Sequence, residues 1–445
     1  MKIIKRVLFV LFIMSFSIIS LGSNHMTQHS ISNNPQVTLS EIAFGPQKSN
    51  TSNYFQGVIR PTNRSKEEME QEVLAFYYKW KAKYLKEVKD ITPVQKYLFY
   101  NESGYFGSAV TCSEAHGYGM LATVLLADFD PQAKDDYDAL YRYYKAHPSV
   151  IQPTNMAWQQ VELNGKIIDN PQGGNDSATD GDMDIAYSLL LAHNRWGSFG
   201  EINYYQEAIS CIQGLMDSVV NPSEWILKLG DWASNTHSTF GYVTRPSDFM
   251  LNHIRAFANA DQKNSYKWME VHNKIQVIVN EQYKTGSSQT TGLMPDFMYK
   301  DSTGKYIPAK GKILESKNDG DYFYNACRTP WRLSMDYITV GDRGIIDQLT
   351  AINQWIKAKT GKNPNKITAG YYITNGNEGE SIASYQDMCF IAPFAVSAMI
   401  DKSNQEWLNS LWDYIVKNNV EPRSYYNDSI KLMVMIVVSG KWQMP

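Results

Sequence analysis

Along most of this chain, helical stretches that are apolar all round alternate with helices that carry one charged face, and that alternation restricts the fold severely. The first opens on the capping box Ser65-Lys66-Glu67-Glu68 and runs amphipathically through Ala75, Phe76, Trp80 and Tyr84. Eleven more are read at about 113–127, 135–147, 181–194, 203–219, 246–259, 264–284, 324–340, 343–359, 385–400, 404–418 and 427–439. Those near 113, 181, 246, 326, 386 and 428 are apolar and aromatic almost throughout; those between carry faces such as Asp135-Asp136-Tyr137-Asp138. A helix apolar on every side is buried, and one with a polar stripe lies outside. Six buried helices, each paired with an amphipathic one, predict an all-α double ring, an (α/α)6 barrel, as a single domain over 56–445. Inner helices begin about 42 to 80 residues apart, whereas a solenoid would need a repeat nearer 35–45 and polar end caps.

Long insertions precede four inner helices, at 151–179, 220–245, 286–323 and 366–385, and all are rich in Trp, Gly, Asn or Asp. Because each leads into the N-terminus of an inner helix, all are expected at one end of the barrel, where they form a cleft. Upstream of the barrel, Met1-Lys2-Ile3-Ile4-Lys5-Arg6, an apolar run from Val7 to Leu21 and the small residues near Gly22 read as a signal peptide over 1–22. Residues 23–55 are rich in Ser, Asn, Gln and Thr and read as a flexible leader. The chain is therefore expected to be secreted, soluble once the signal is cleaved, and monomeric.

Losing Lys2, Lys5 and Arg6 leaves 39 basic against 45 acidic residues, a balance that argues against a nucleic-acid partner. Cys112, Cys211, Cys327 and Cys389 have neither disulfide-scaffold nor metal-ligand spacing and are expected as buried thiols. No cofactor or metal is expected. Eleven Trp and 29 Tyr give a secreted chain many rigid amphipathic rings of the kind that stack on flat sugar faces, although a large helical core accounts for most of them.

Two acidic motifs open inner helices. In Ser113-Glu114-Ala115-His116-Gly117-Tyr118-Gly119-Met120, Ser113 reads as an N-cap, with Glu114 either answering the helix dipole or doing chemistry. Two glycines within one turn point to close approach of backbone or ligand there. The second, Thr179-Asp180-Gly181-Asp182-Met183-Asp184, places more acids at a buried helix start than capping needs. His116 has no second ligand nearby and is read as a hydrogen-bonded support, not a metal ligand.

These motifs carry a resemblance. The chain is similar to glycoside hydrolase family 8, inverting (α/α)6-barrel enzymes that cut β-1,4-linked glycans. The signature Ala-Thr-Asp-Gly-Asp-x-x-Ile-Ala-x-Ser-Leu-Leu-x-Ala-x-x-x-Trp is met from Ala178 to Trp196, and Ser-Glu-x-x-Gly-Tyr-Gly-Met at 113–120. The resemblance implies Glu114 as general acid and Asp180 as the group holding the distorted sugar. Glu114 must then be protonated, against the pull of its helix N-terminus; burial under Tyr118 and Trp158 and the charge of Asp180 would raise its pKa. One branch of the family places an Asp base where this chain has Asn325, in Tyr324-Asn325-Ala326-Cys327-Arg328. The branch with chitosanases and lichenases takes a Glu from the preceding loop, which maps to Glu315, with Asp319 and Asp321 as rivals. Arg328 is expected to support the base side by a forked hydrogen bond. Tyr118, Trp158, Asp231 and Trp232 are expected to bind sugar, and Arg245 with Asp248 to form a structural ion pair.

The implied activity is endo-acting, inverting cleavage of a β-1,4-linked polysaccharide, either chitosan or mixed-linkage β-glucan and cellulose. A non-catalytic glycan-binding barrel and a polysaccharide lyase are the alternatives; a lyase would want a Tyr, His or Arg base and no paired carboxylates.

Overall fold

The computed structural model describes residues 54–445 apart from Asn375, Pro422 and Arg423; the expected signal peptide and nearly all of the leader lie outside it. Its helices in order are α1 (Lys66–Tyr84), α2 (Ser113–Leu125), α3 (Ala133–Ala146), α4 (Thr179–Trp196), α5 (Tyr204–Ser218), α6 (Leu251–Ala260) and α7 (Ser265–Lys284). There follow α8 (Thr329–Val340), α9 (Ile346–Thr360), α10 (Met388–Ile391), α11 (Pro393–Ala398), α12 (Gln405–Lys417) and α13 (Tyr425–Val438). The inner ring closes: α2 packs on α4, α4 on α6, α6 on α8, α8 on α11, α11 on α13 and α13 back on α2. Outside it, α3, α5, α7, α9, α12 and α1 cover α2, α4, α6, α8, α11 and α13 respectively. The (α/α)6 barrel expected from the alternation is the fold.

Burial explains the arrangement. Every residue of α13 is buried, whereas α12 buries Trp407, Leu408, Leu411, Trp412 and Ile415 and exposes Glu406 and Asp413. That spacing is one face of a 3.6-residue period. On the axis, Asp184 accepts both terminal nitrogens of Arg332, at 2.9 and 2.6 Å, and Nε2 of His253 at 2.9 Å. A charge this deep is tolerable because it is paired and bonded.

The glycines mark where α2 and α4 touch. A Cβ on Gly181 would lie 2.4 Å from the Ser113 carbonyl carbon, and one on Gly117 would lie 2.8 Å from Cβ of Asp184. This contact puts the first turns of the two helices side by side. Gly181→Ala is expected to destabilise the barrel by about 1–3 kcal/mol, read as a lower denaturation midpoint. Gly200→Ala is the control, since nothing lies within 4 Å of its added methyl.

Several boundaries differ from the sequence reading. Ser113 is the first helical residue and not a side-chain cap; Cys112 precedes it. The third inner helix begins at Leu251 because Pro246–Asp248 forms a separate 3-10 turn, and Ala326–Arg328 forms another before α8. The fifth inner helix breaks before Pro393, which cannot supply a helical N–H. The chain is tied down from Tyr54, two residues before the expected boundary: its hydroxyl donates to Val437 O, and Phe55 N donates to Ile338 O. Short antiparallel strands that periodicity did not reveal join 109–112, 159–163 and 166–169, and likewise 243–244, 298–300 and 306–308. Both of these three-stranded sheets lie in loops that lead into the N-termini of inner helices. The four cysteines are buried and unpaired. None of the described helices is long and apolar enough to cross a membrane.

Candidate active site

Heads of inner helices converge on one guanidinium. Arg328, in the turn before α8, donates from Nη1 to Glu114 Oε2 at 2.7 Å and to Asp180 Oδ2 at 2.8 Å. Its Nη2 donates to Ser247 Oγ at 3.0 Å and to Asn325 Oδ1 at 3.1 Å. Asn325 then donates from Nδ2 to Glu315 Oε2 at 2.7 Å. Glu114 and Glu315 thus sit on opposite arms of an arginine–amide bridge. Arg328 was expected on the base side; it holds both sides. The side chain of Glu114 keeps 14% of its surface open while Asp180 keeps 4% and Arg328 1%, so Glu114 is the most exposed of the three.

The electrostatics raise the Glu114 carboxyl despite its place at a helix N-terminus. Burial pushes Glu114 up to about 7; Arg328 pulls against this, and the charge of Asp180 adds to it. Desolvation therefore outweighs the pull of the arginine. Burial also acts on Asp180, yet Arg328 and Arg245 hold it below the usual carboxylate range. Glu315 is pushed up to about 8 by burial and by the neighbouring Asp296, against Arg245 and the Asn325 bond. Its Oε1 is buried without a partner. Tyr425, at the head of α13, donates to Glu114 Oε1 at 3.3 Å.

The rivals for the base are engaged elsewhere. Asp319 accepts the backbone N–H groups of Ile313, Leu314, Glu315 and Ser316 at 2.6 to 3.1 Å, so it shapes the loop that presents Glu315. Asp321 accepts Ile373 N at 2.9 Å. Asp296 accepts the N–H groups of Phe323, Asn325 and Ala326, which fixes the turn carrying Asn325 and Arg328.

Two expected sugar contacts are corrected. Tyr118 lies one turn below Glu114, has no exposed surface, and packs on Trp331 at 6.2 Å. Asp231 accepts from Ser149 Oγ at 2.5 Å, Gln152 N at 3.2 Å and Ser177 N at 2.9 Å, which makes it a clamp between loops. Trp158 and Trp232 are half-buried. Trp158 donates to Gly173 O at 2.8 Å, and its carbonyl accepts Ser113 N at 2.9 Å, beside Glu114. Trp232 packs with Phe240 against the small cluster that holds Leu314. Arg245 does not close an ion pair on Asp248; its salt bridge, at 3.5 Å, is with Asp180. Burial pushes Asp248 up to about 7 despite Arg245 nearby. His116 donates from Nε2 to Leu140 O at 2.9 Å, and burial lowers it to about 3, so it stays neutral.

Sequence reasoning missed Ser247 and Tyr425. The signal was available: both sit at the cleft-facing starts of inner segments, where Glu114 and Asp180 had already been found. Among the described residues one trio could ligate a metal, His272, Asp336 and Asp342. The Arg255 guanidinium already bonds all three, His272 on α7, Asp336 on α8 and Asp342 just after it.

Comparison with known proteins decides the family. The model of "Glycosyl hydrolases family 8" matches residues 107–440. The chain belongs to glycosyl hydrolase family 8. Both motifs, 113–120 and 178–196, fall inside the matched segment, and family 8 membership makes the protein a glycoside hydrolase that acts on polysaccharide. A beta-glucanase of Niallia circulans is 46% identical over 389 residues, covering 87% of this chain and 89% of that protein. An endoglucanase of Bacillus sp. strain KSM-330 is 38% identical over 93% of this chain and 85% of its own. Among solved structures, the apo beta-1,3-1,4-glucanase of Paenibacillus sp. X4 superposes with a TM-score of 0.81 at 45% identity, over 88% of this chain and 97% of that one. A xylose complex of Rex8A from Paenibacillus barcinonensis, at 17% identity and a TM-score of 0.68 over 86% and 95%, shares the fold alone.

Proposed function

We propose that this family 8 protein is a secreted, endo-acting, inverting β-glucanase whose preferred substrate is mixed-linkage β-1,3-1,4-glucan. The observation that carries the reading is the pair of buried carboxyls, Glu114 and Glu315, held on opposite arms of the Arg328–Asn325 bridge. Glu114 gives its proton to the glycosidic oxygen as the C1–O bond breaks. Glu315 takes a proton from a water that attacks C1 from the opposite face, and the anomeric centre inverts. Asp180, ionised beside Arg328 and Arg245, accepts from the sugar hydroxyls and favours the distorted ring. After the step Glu114 is a carboxylate and Glu315 an acid, and exchange with solvent restores both.

The likeness to the beta-1,3-1,4-glucanase of Paenibacillus sp. X4, at 45% identity, supports a mixed-linkage glucan over chitosan as the substrate.

The test is initial rates of reducing-sugar release from barley β-glucan, carboxymethyl cellulose, chitosan and xylan, with the first product's anomer followed by proton NMR. The fastest release is expected from β-glucan, with the α-anomer appearing first. A chitosan rate at or above the β-glucan rate would overturn the substrate, and a β-anomer appearing first would overturn inversion. No cleavage of any polymer would favour a binding barrel.

A further inference from the structure

A row of aromatic rings is joined to Glu114 through Tyr425, whereas Glu315 is joined to it through Arg328 and Asn325. Tyr425, which donates to Glu114, meets the ring of Tyr100 edge-on at 6.0 Å. Tyr100 stacks on Phe106 at 5.1 Å with planes 17° apart, and Phe106 meets Tyr105 edge-on at 5.2 Å. Tyr100 and Phe106 are half-buried, and Tyr105 is 55% exposed. The loop that displays them is tightly built. Asn101, itself buried, donates to Gly107 O and Ala109 O at 3.0 Å each and accepts Phe106 N at 3.1 Å. Gly104 and Gly107 take positive φ values of 69° and 60°, which a side chain would resist. An ordered loop that keeps a large ring in water, continuous with the catalytic centre, calls for a partner.

The order of these contacts points to the partner. In an in-line displacement the attacking water and its base lie on one face of the sugar, while the leaving oxygen and its acid lie on the other. The order along the bonds and rings is Glu315, Asn325, Arg328, Glu114, Tyr425, Tyr100, Phe106, Tyr105. We infer that Tyr105 and Phe106 form an outlying stacking subsite for glucosyl residues of the departing, reducing-end half of the chain. The inference rests on the β-glucanase reading above and adds to it the leaving-group arm of the cleft.

A leaving group shorter than the arm never reaches Tyr105, so substrate length reads the subsite out. Tyr105→Ala is expected to raise KM on β-glucan by about three- to tenfold, and that loss is expected to exceed the loss on an aryl cellobioside by the same factor. Tyr105→Phe, which keeps the ring, should recover most of the loss. Phe199→Ala, at a fully exposed ring on the loop after α4 at the far end of the barrel, is the control for general surface effects. Equal losses on polymer and aryl glycoside, or none on the polymer, would overturn the inference. Affinity electrophoresis in β-glucan gels with the Glu114→Gln variant, with and without Tyr105→Ala, reads binding apart from turnover. A wild type that binds β-glucan without cutting it would sink the β-glucanase reading, while weaker binding by Tyr105→Ala would still support the arm. No binding by the wild type would sink both.

Discussion

Glu114→Gln is expected to lower kcat on β-glucan by about 10²–10⁴-fold with KM changed little. The amide keeps the shape and one acceptor for Tyr425 but has no proton to give, so the loss falls on the transition state. A substrate whose leaving group needs no proton isolates the effect: with a dinitrophenyl cellobioside, Glu114→Gln should recover most of the lost rate. A variant equally slow on both substrates would mean that Glu114 is not the proton donor.

The wild-type pH profile follows from the same site. Glu114 must be protonated, so activity falls as pH rises through its value of about 7; Glu315 must be ionised, so activity rises through its value of about 8. The acid thus titrates below the base. Roughly one molecule in twenty carries the productive combination midway between them. A bell in kcat/KM centred between about pH 7 and 8 is expected, and an optimum near pH 5 would contradict the burial that raises both groups.

The ring of helices was legible because burial leaves a coarse trace in sequence: α13 has no polar stripe and α12 has one. Helix starts were less legible, because Pro246–Asp248 and Ala326–Arg328 wind as 3-10 turns, which the same apolar composition allows. In the site, two glycines within one turn drew attention to Glu114, and three acids at a buried helix start drew it to Asp180. Tyr118 could have been placed correctly by the same arithmetic, since four residues after Glu114 is one turn deeper into the barrel. The fate of Asp231 was not legible, since nothing local distinguishes a carboxylate that clamps loops from one that meets sugar. Asp319 and Glu315 stand four residues apart on one loop with similar chemistry. Only the folded loop shows that Asp319 turns inward onto four backbone N–H groups and Glu315 outward onto Asn325.

That difference makes the base the sharper of the two assignments to test. Glu315→Gln is expected to reduce kcat by about 10²–10⁴-fold on β-glucan, and the dinitrophenyl leaving group should not restore it, because the missing step is activation of water. The contrast with Glu114→Gln separates base from acid with one pair of substrates. Asp319→Asn should behave differently again. An amide oxygen cannot replace a carboxylate that gathers four N–H groups, so the loop loosens, and KM and thermal stability shift together. If instead Asp319→Asn abolishes turnover with a normal melting curve while Glu315→Gln stays active, Asp319 is the base. The buried, unpartnered Oε1 of Glu315 argues for the first outcome, since a carboxylate that must accept a proton from water needs one oxygen that nothing else occupies.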